Sequence, residues 1–237
     1  PYGHQGDPRQ ATLQAHELKV RAHALGGTAD GFFQAFCETI ASKAGATCWG
    51  EKTPRHIYRL PEIFAVYPRA RAFCMVRDPR AVVASYRDWR NQGGFDLDKD
   101  PGHADALEDD HRRIRRSFHP LIISLLWKGT VQAARKAQRE FGSDRVLIQR
   151  YEDLVAAPEP TVRAIVDWLG IPFESSLLDV PIHNSSFTKY DQRGGVTSAA
   201  VDRWRDKLGA AEIALVQSAC ADSMTAVGYA PEMVDSS

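Results

Sequence analysis

The chain has 237 residues, with 30 Lys+Arg against 30 Asp+Glu, a formal net charge of zero and a pI of about 7.5. That balance excludes an overall field that would recruit nucleic acid or an anionic membrane, so any anion site must be local. The length suffices for one substantial α/β core, and no stretch approaches the roughly 18 consecutive apolar residues of a membrane span.

The amino end has no signal-peptide core, so the expectation is a soluble, cytoplasmic protein, and the high Ala and Arg content points to a bacterial source. Cys37, Cys48, Cys74 and Cys220 form no C-x-x-C pair and read as buried free thiols. The expected organisation is a single domain over residues 1–237. Residues 1–29, rich in Gly, Pro, Gln and Ala, form a poorly defined leading segment with a candidate helix at Ala11–Ala24. Asp30 is a candidate cap for a helix carrying Phe32, Phe33, Phe36, Cys37, Ile40 and Ala44 at helical spacing before Gly45.

Thr47-Cys48-Trp49 reads as a short strand, and a helix is expected through Arg55–Tyr67. Ala70–Val76 is an apolar run short enough for a buried strand, and Pro79 is well placed to start a helix reaching Asn91. Gly93–His119 breaks the pattern with Gly-Gly, Pro-Gly and opposed charge runs, and reads as an acceptor-side insertion. A long helix at Leu121–Phe141, a strand at Val146–Ile148 and an amphipathic helix at Glu159–Leu169 follow, the last stopped by Gly170. Helices near Ala199–Lys207 and Ala210–Val227 close the chain. This alternation predicts parallel pairing with right-handed crossovers.

Charge appears abruptly where the first buried strand ends, which is where open α/β sheets bind anionic ligands. Arg77 there offers a fork that matches phosphate oxygens, and Ser85, eight residues on and about two turns into the helix, adds a hydroxyl. A surface ion pair of Asp78 with Arg77 or Arg80, with Ser85 as a packing residue, accounts for the same letters equally well. Glu51 beside Lys52 suits proton removal from a hydroxyl, with the ammonium offsetting charge on a transferring group. Thr53-Pro54 fits a helix cap that would aim both side chains into one crevice, while an exposed Glu51–Lys52 pair is the structural alternative. His56 is an alternative base. His103, His111 and His119 recur at intervals of eight, which is not a metal-ligand spacing, and no Cys/His set is found.

Glu51-Lys52-Thr53-Pro54 resembles the E-K-[TS]-[PA] segment of sulfotransferases that use 3′-phosphoadenosine-5′-phosphosulfate (PAPS). Arg77-Asp78-Pro79-Arg80 through Ser85 resembles their 3′-phosphate signature, and Arg150-Tyr151-Glu152-Asp153-Leu154 their strand-end Tyr-Glu-Asp-Leu segment. Asn184–Phe187, Arg193-Gly194-Gly195-Val196 and Arg203-Trp204-Arg205 look like the C-terminal part that folds over the nucleotide. The resemblance runs from about Ala44 to Tyr229 in consistent order.

It implies a P-loop-like, three-layer α/β fold with a central parallel sheet flanked by helices. Arg77 and Ser85 would hold the 3′-phosphate, with Arg193 and Gly194 contacting it from the C-terminal loop and Tyr151 near the adenine, a buried strand-end tyrosine being the other reading of Tyr151. Glu51 would be the general base and Lys52 the stabiliser of sulfuryl charge. The donor would be PAPS, no metal would be required, and the acceptor would be a hydroxyl of a small molecule, lipid or glycan. The glycine-rich loop that cradles the 5′-phosphosulfate in this family has no match, since Gly26-Gly27-Thr28 follows no apolar strand, holds no basic residue and reads as a turn. Together with a start on Pro1, this raises the expectation of a chain beginning after that loop. Two other readings stay open: a nucleotide-binding scaffold without catalysis, and a P-loop kinase relative. The latter is disfavoured by the lack of G-x-x-x-x-G-K-[ST].

Overall fold

The computed structural model describes residues 8–91, 118–179, 198 and 201–233. They fall into two compact units, one of the residues up to His56 with Glu62–Pro68, the other of Ile57–Pro61 with the residues from Arg69 on. The acceptor-side insertion, apart from Phe118 and His119, and the Asn184–Phe187 and Arg193–Val196 segments lie outside the described residues.

In the first unit two helices, α1 (Pro8–Ala24) and α2 (Ala29–Lys43), pack against each other. Gly26 and Gly27 take φ of 92° and 65°, the left-handed region that glycine enters without steric cost, and so turn the chain between them. Thr28, not Asp30, caps α2, its hydroxyl accepting from the Gly31 N–H at 3.1 Å. Asp30 lies inside the first turn, where its charge favours the helix dipole. A Cβ on Gly31 would sit 2.5 Å from the Leu25 carbonyl oxygen, so the close approach of turn and helix requires glycine. Gly26-Gly27-Thr28 is thus a turn and cap, entered from a helix, as the sequence indicates.

Thr47-Cys48-Trp49 forms no strand. The segment has no ladder partner among the described residues; its indole instead meets Phe33 and Tyr67 edge-on, each at 5.8 Å between ring centroids. The Tyr67 hydroxyl donates to the Asp30 carbonyl at 3.0 Å, fixing that aromatic face. The helix expected over Arg55–Tyr67 is divided, a 3₁₀ turn at Pro54–Arg59 preceding α3 (Leu60–Val66).

The second unit holds a parallel pair of strands, β1 (Ala72–Val76) and β2 (Val146–Arg150), with Ala72 opposite Val146 and Val76 opposite Arg150. Both run their carboxyl ends to the same edge, and each is followed at once by a helix: α4 (Pro79–Asn91) after β1 and α6 (Tyr151–Ala156) after β2. The long α5 (Pro120–Phe141) connects the two strands, and His119 caps it, Nδ1 accepting from the Leu121 N–H at 3.2 Å. Gly170 in the left-handed conformation ends α7 (Pro158–Leu169). The last helices are α8 (Trp204–Lys207), shorter than the sequence suggests, and α9 (Ala210–Ala226). No described helix is long and apolar enough to cross a membrane.

The core of this unit is built where α4, α5 and α9 meet the strands. Val83, Val131, Val146 and Val216 are fully buried there. All four cysteines are free thiols, as their spacing predicts, but the expected burial holds only for Cys37 and Cys220, since Cys48 is exposed and Cys74 half-buried. Cys220 on α9 is wholly buried beside the Ser124 carbonyl, and burial pushes its thiol from 9.0 up to about 11. The folded state therefore keeps a proton that the unfolded chain releases, and this contribution is complete below pH 9 and lost as pH rises towards 11. Urea unfolding at stepped pH is expected to show stability falling across that window, with a shallower fall in Cys220→Ala. Identical slopes in the two proteins would refute the assignment.

Candidate functional site

Chemistry-bearing side chains cluster in each unit separately. In the first, Glu51 and Lys52 lie between Trp49 and the 3₁₀ turn and His56 lies within that turn, all three exposed. Glu51 Oε2 lies 2.7 Å from His56 Nδ1, and Glu51 Oε1 accepts from the Thr53 hydroxyl at 2.6 Å. The Thr53 side chain thus bonds the carboxylate, and its backbone carbonyl starts the turn by accepting from the His56 N–H at 3.0 Å. Glu51 pairs with His56 rather than Lys52. Both carboxylate oxygens are fixed in direction, an arrangement suited to a base whose lone pair must point at one hydroxyl. Glu51 also reaches inward electrostatically: after burial, it is the next cause that pushes the Cys37 thiol upward.

In the second unit Arg77 sits one residue past the end of β1, half-buried, with its guanidinium 5.0 Å from the centroid of the Tyr151 ring. Tyr151 opens α6 at the matching end of β2, so the parallel register Val76↔Arg150 brings the two together. Stacking of this kind leaves the edge of the guanidinium, where its donors lie, turned to one side.

Asp78 pairs with Arg80, not Arg77. It accepts three hydrogen bonds from the guanidinium of Arg80, at 3.0 and 3.2 Å from Nε and 2.6 Å from Nη2, and one from the Arg80 backbone N–H at 2.8 Å. The pair is buried, with Asp78 7% and Arg80 4% exposed, so the reading of a surface ion pair is corrected. Its burial is offset by further partners: Arg80 donates to Gln217 at 2.8 Å and lies over the Trp204 ring at 4.2 Å. Trp204 is accordingly a packing residue.

Ser85 is half-buried on α4, and its hydroxyl has no hydrogen-bond partner among the described residues. Arg193 and Gly194 lie outside them.

The turn after β1 is held from three sides by residues that the sequence does not single out for this. Trp127 on α5 donates through Nε1 to the Arg77 carbonyl at 2.8 Å. The Asp78 N–H donates to Glu152 Oε1 at 3.0 Å. The Tyr229 hydroxyl, beyond α9, donates to Glu152 Oε2 at 2.5 Å, with the Val76 carbonyl a longer second acceptor at 3.2 Å. Burial first, then the Glu152 carboxylate, drives the Tyr229 hydroxyl far above its ordinary value, so it remains a donor. The indole among apolar residues of a long helix was the one visible signal, because a buried Trp needs an acceptor for its N–H.

Arg150, the last residue of β2, lies over the Tyr229 ring at 4.6 Å and donates to the Gly228 carbonyl at 3.1 Å. A cavity of about 290 Å³ opens beside this network, bordered by Arg80, Arg150, Glu152, Arg205, Tyr229 and Glu232. The Arg205 and Glu232 side chains pair across it, and the hydrogen bonds from Arg205 hold the Glu232 carboxyl below its usual range. No group of three or more acidic, His or Cys side chains that could hold a metal ion occurs among the described residues.

The family model described as "Sulfotransferase family" matches residues 4–175. Protein-tyrosine sulfotransferase of Drosophila melanogaster is 26% identical over 212 residues, covering 85% of this chain and 37% of the fly protein. Human carbohydrate sulfotransferase 3 is 26% identical over 172 residues, covering 67% of this chain and 33% of its own. The chain thus spans about half or less of the curated relatives it matches. Among solved structures, the sulfotransferase domain from the curacin biosynthetic pathway superposes with a TM-score of 0.49 at 19% identity, over 77% of this chain and 62% of that one.

Proposed function

The chain belongs to the sulfotransferase family, and from that premise we propose that it moves a sulfuryl group from PAPS to an acceptor hydroxyl, on a P-loop-like α/β frame. The observation that carries the donor assignment is the strand-end arginine. Arg77 follows a parallel strand that is buried only at its last residue, Val76, rather than throughout as its apolar sequence suggests; it stacks on Tyr151, while Asp78 is engaged by the buried Arg80. Ser85 brings a hydroxyl on the helix that starts two residues later. A fork of donors beside an aromatic ring suits a phosphorylated ribose next to an adenine. In this reading Arg77 and Ser85 hold the 3′-phosphate, Tyr151 borders the base, and Arg193 and Gly194 close from the C-terminal side.

Chemistry then proceeds by in-line transfer. The acceptor oxygen forms a bond to sulfur as the bond from sulfur to the 5′-phosphate oxygen breaks. The acceptor proton passes to Glu51, and adenosine 3′,5′-bisphosphate leaves. Thr53 and His56 orient the Glu51 carboxylate, and Lys52 offsets charge on the sulfuryl oxygens. The transition state is spread out and weakly bonded, by analogy with phosphoryl transfer, so positioning and fixed positive charge supply most of the acceleration. No metal ion is assigned a part.

The acceptor class is a hydroxyl. The names of the relatives cover both a peptide tyrosine and a carbohydrate, so these are the first acceptors to offer. The test is transfer of radiolabelled sulfuryl from PAPS to a tyrosine-containing acidic peptide and to a glycosaminoglycan chain, using the protein in its longest natural form. Label on either acceptor supports the reading. Tight binding of adenosine 3′,5′-bisphosphate with no label on any hydroxyl acceptor would favour the non-catalytic scaffold instead. Dependence on ATP and magnesium would favour the kinase relative.

A further inference from the structure

Of the two peptide planes that flank the Cα of Arg77, one is pinned by side chains from other elements and the other ends the ladder in which Val76 pairs with Arg150. The plane that follows it is gripped at both edges, its carbonyl by Trp127 Nε1 at 2.8 Å and its N–H, that of Asp78, by Glu152 Oε1 at 3.0 Å. The plane that precedes it presents the Val76 carbonyl to the Tyr229 hydroxyl at 3.2 Å. The grip of Trp127 and Glu152 fixes the plane that follows, and the strand ladder holds the plane that precedes, so together they set φ and ψ of Arg77 and the direction in which its Cα–Cβ bond leaves the strand. The three side chains are also tied to one another. Tyr229 donates to Glu152 Oε2 at 2.5 Å, and its ring meets Trp127 edge-on at 6.4 Å. Trp127 and Tyr229 are 8% and 5% exposed, so water does not compete for these bonds.

We infer that Trp127, Glu152 and Tyr229 are positioning residues that aim Arg77 at the 3′-phosphate of the nucleotide. The inference rests on the assignment of Arg77 to that phosphate. Simple satisfaction of buried polar groups would require each strand-end donor and acceptor to find a partner. It would not require that the two groups of one peptide unit be taken by side chains 25 positions apart in sequence, on α5 and α6, and cross-braced by a third from beyond α9. An arginine whose donors must meet two phosphate oxygens gains from such bracing, since a small rotation at Cα is magnified along its side chain.

Calorimetric titration of adenosine 3′,5′-bisphosphate and of adenosine 5′-phosphate tests this in wild type, Trp127→Phe, Arg77→Ala and the double variant. Trp127→Phe keeps an aromatic ring at the position and deletes the indole N–H with its hydrogen bond, together with part of the buried ring volume. It is expected to weaken the bisphosphate about 5-fold, the worth of roughly one net hydrogen bond, and to leave the monophosphate within about twofold. In the Arg77→Ala background the same change is expected to cost the bisphosphate nothing. Equal losses for both nucleotides, or an undiminished loss without Arg77, would make Trp127 a structural residue and overturn the inference. Should Trp127→Phe fail to fold, Glu152 gives the same test. Glu152→Gln keeps an oxygen for the Asp78 N–H and should retain bisphosphate preference, whereas Glu152→Ala should lose it; matching losses in the two would count against the inference. A wild-type protein that does not prefer the bisphosphate overturns the 3′-phosphate assignment itself, and the inference with it, which is a different result from preference that survives the variants.

Discussion

Glu51→Gln is expected to lower sulfuryl-transfer turnover on the order of 10²–10⁴-fold, the range lost with a general base, while nucleotide affinity stays nearly unchanged. The replacement is isosteric and keeps an acceptor for the Thr53 hydroxyl, so the turn leading into Pro54–Arg59 should persist. What it removes is the capacity to take a proton. His56 sits 2.7 Å from the same carboxylate and supplies the internal comparison. If Glu51 is the base and His56 only orients it, His56→Ala should lower turnover much less than Glu51→Gln does. If His56 is the base, the order reverses. Turnover measured with saturating donor, together with the affinity for adenosine 3′,5′-bisphosphate, separates loss of chemistry from loss of binding.

Arg77→Ala is expected to weaken adenosine 3′,5′-bisphosphate on the order of 10²-fold, since two charge-assisted hydrogen bonds to one phosphate are lost together. Adenosine 5′-phosphate should change by no more than a few-fold, through the loss of stacking on Tyr151. The fold should tolerate the change, because the buried ion pair of the turn belongs to Asp78 and Arg80 and the peptide clamp uses only the Arg77 backbone. Equal losses for the two nucleotides would remove Arg77 from the 3′-phosphate.

The elements around this arginine were legible because their signals are local. A short apolar run ending in charge and a proline two residues after Arg77 mark a strand, a turn and a helix start, and β1 and α4 fall there. Gly170 after an amphipathic run likewise marks the end of α7. Thr47-Cys48-Trp49 misled for a physical reason: β-favouring residues make a strand only where a neighbour supplies a ladder, and here aromatic packing against Phe33 and Tyr67 claims them. Asp30 misled because Thr28, two residues earlier, already accepts from the free Gly31 N–H in the first turn of α2.

Within the candidate site, residue types could be read and partners could not. The sequence offers Asp78 to Arg77 or Arg80 alike, and only the fold decides for Arg80, by burying the pair under Trp204. The bracing of Arg77 joins positions 50 to 153 residues apart, from Trp127 and Glu152 to Tyr229, and no periodicity encodes such a contact. Glu152 was visible as part of a recurring segment, yet its task, accepting from the Asp78 N–H and the Tyr229 hydroxyl, belongs to tertiary structure.

Calorimetric titration of this chain with adenosine 3′,5′-bisphosphate, with adenosine 5′-phosphate as the control, tests the central claim most directly. A site built around Arg77 and Ser85 predicts clear preference for the bisphosphate. Equal affinity for the two nucleotides, or none for either, would contradict the assignment of these residues to the 3′-phosphate.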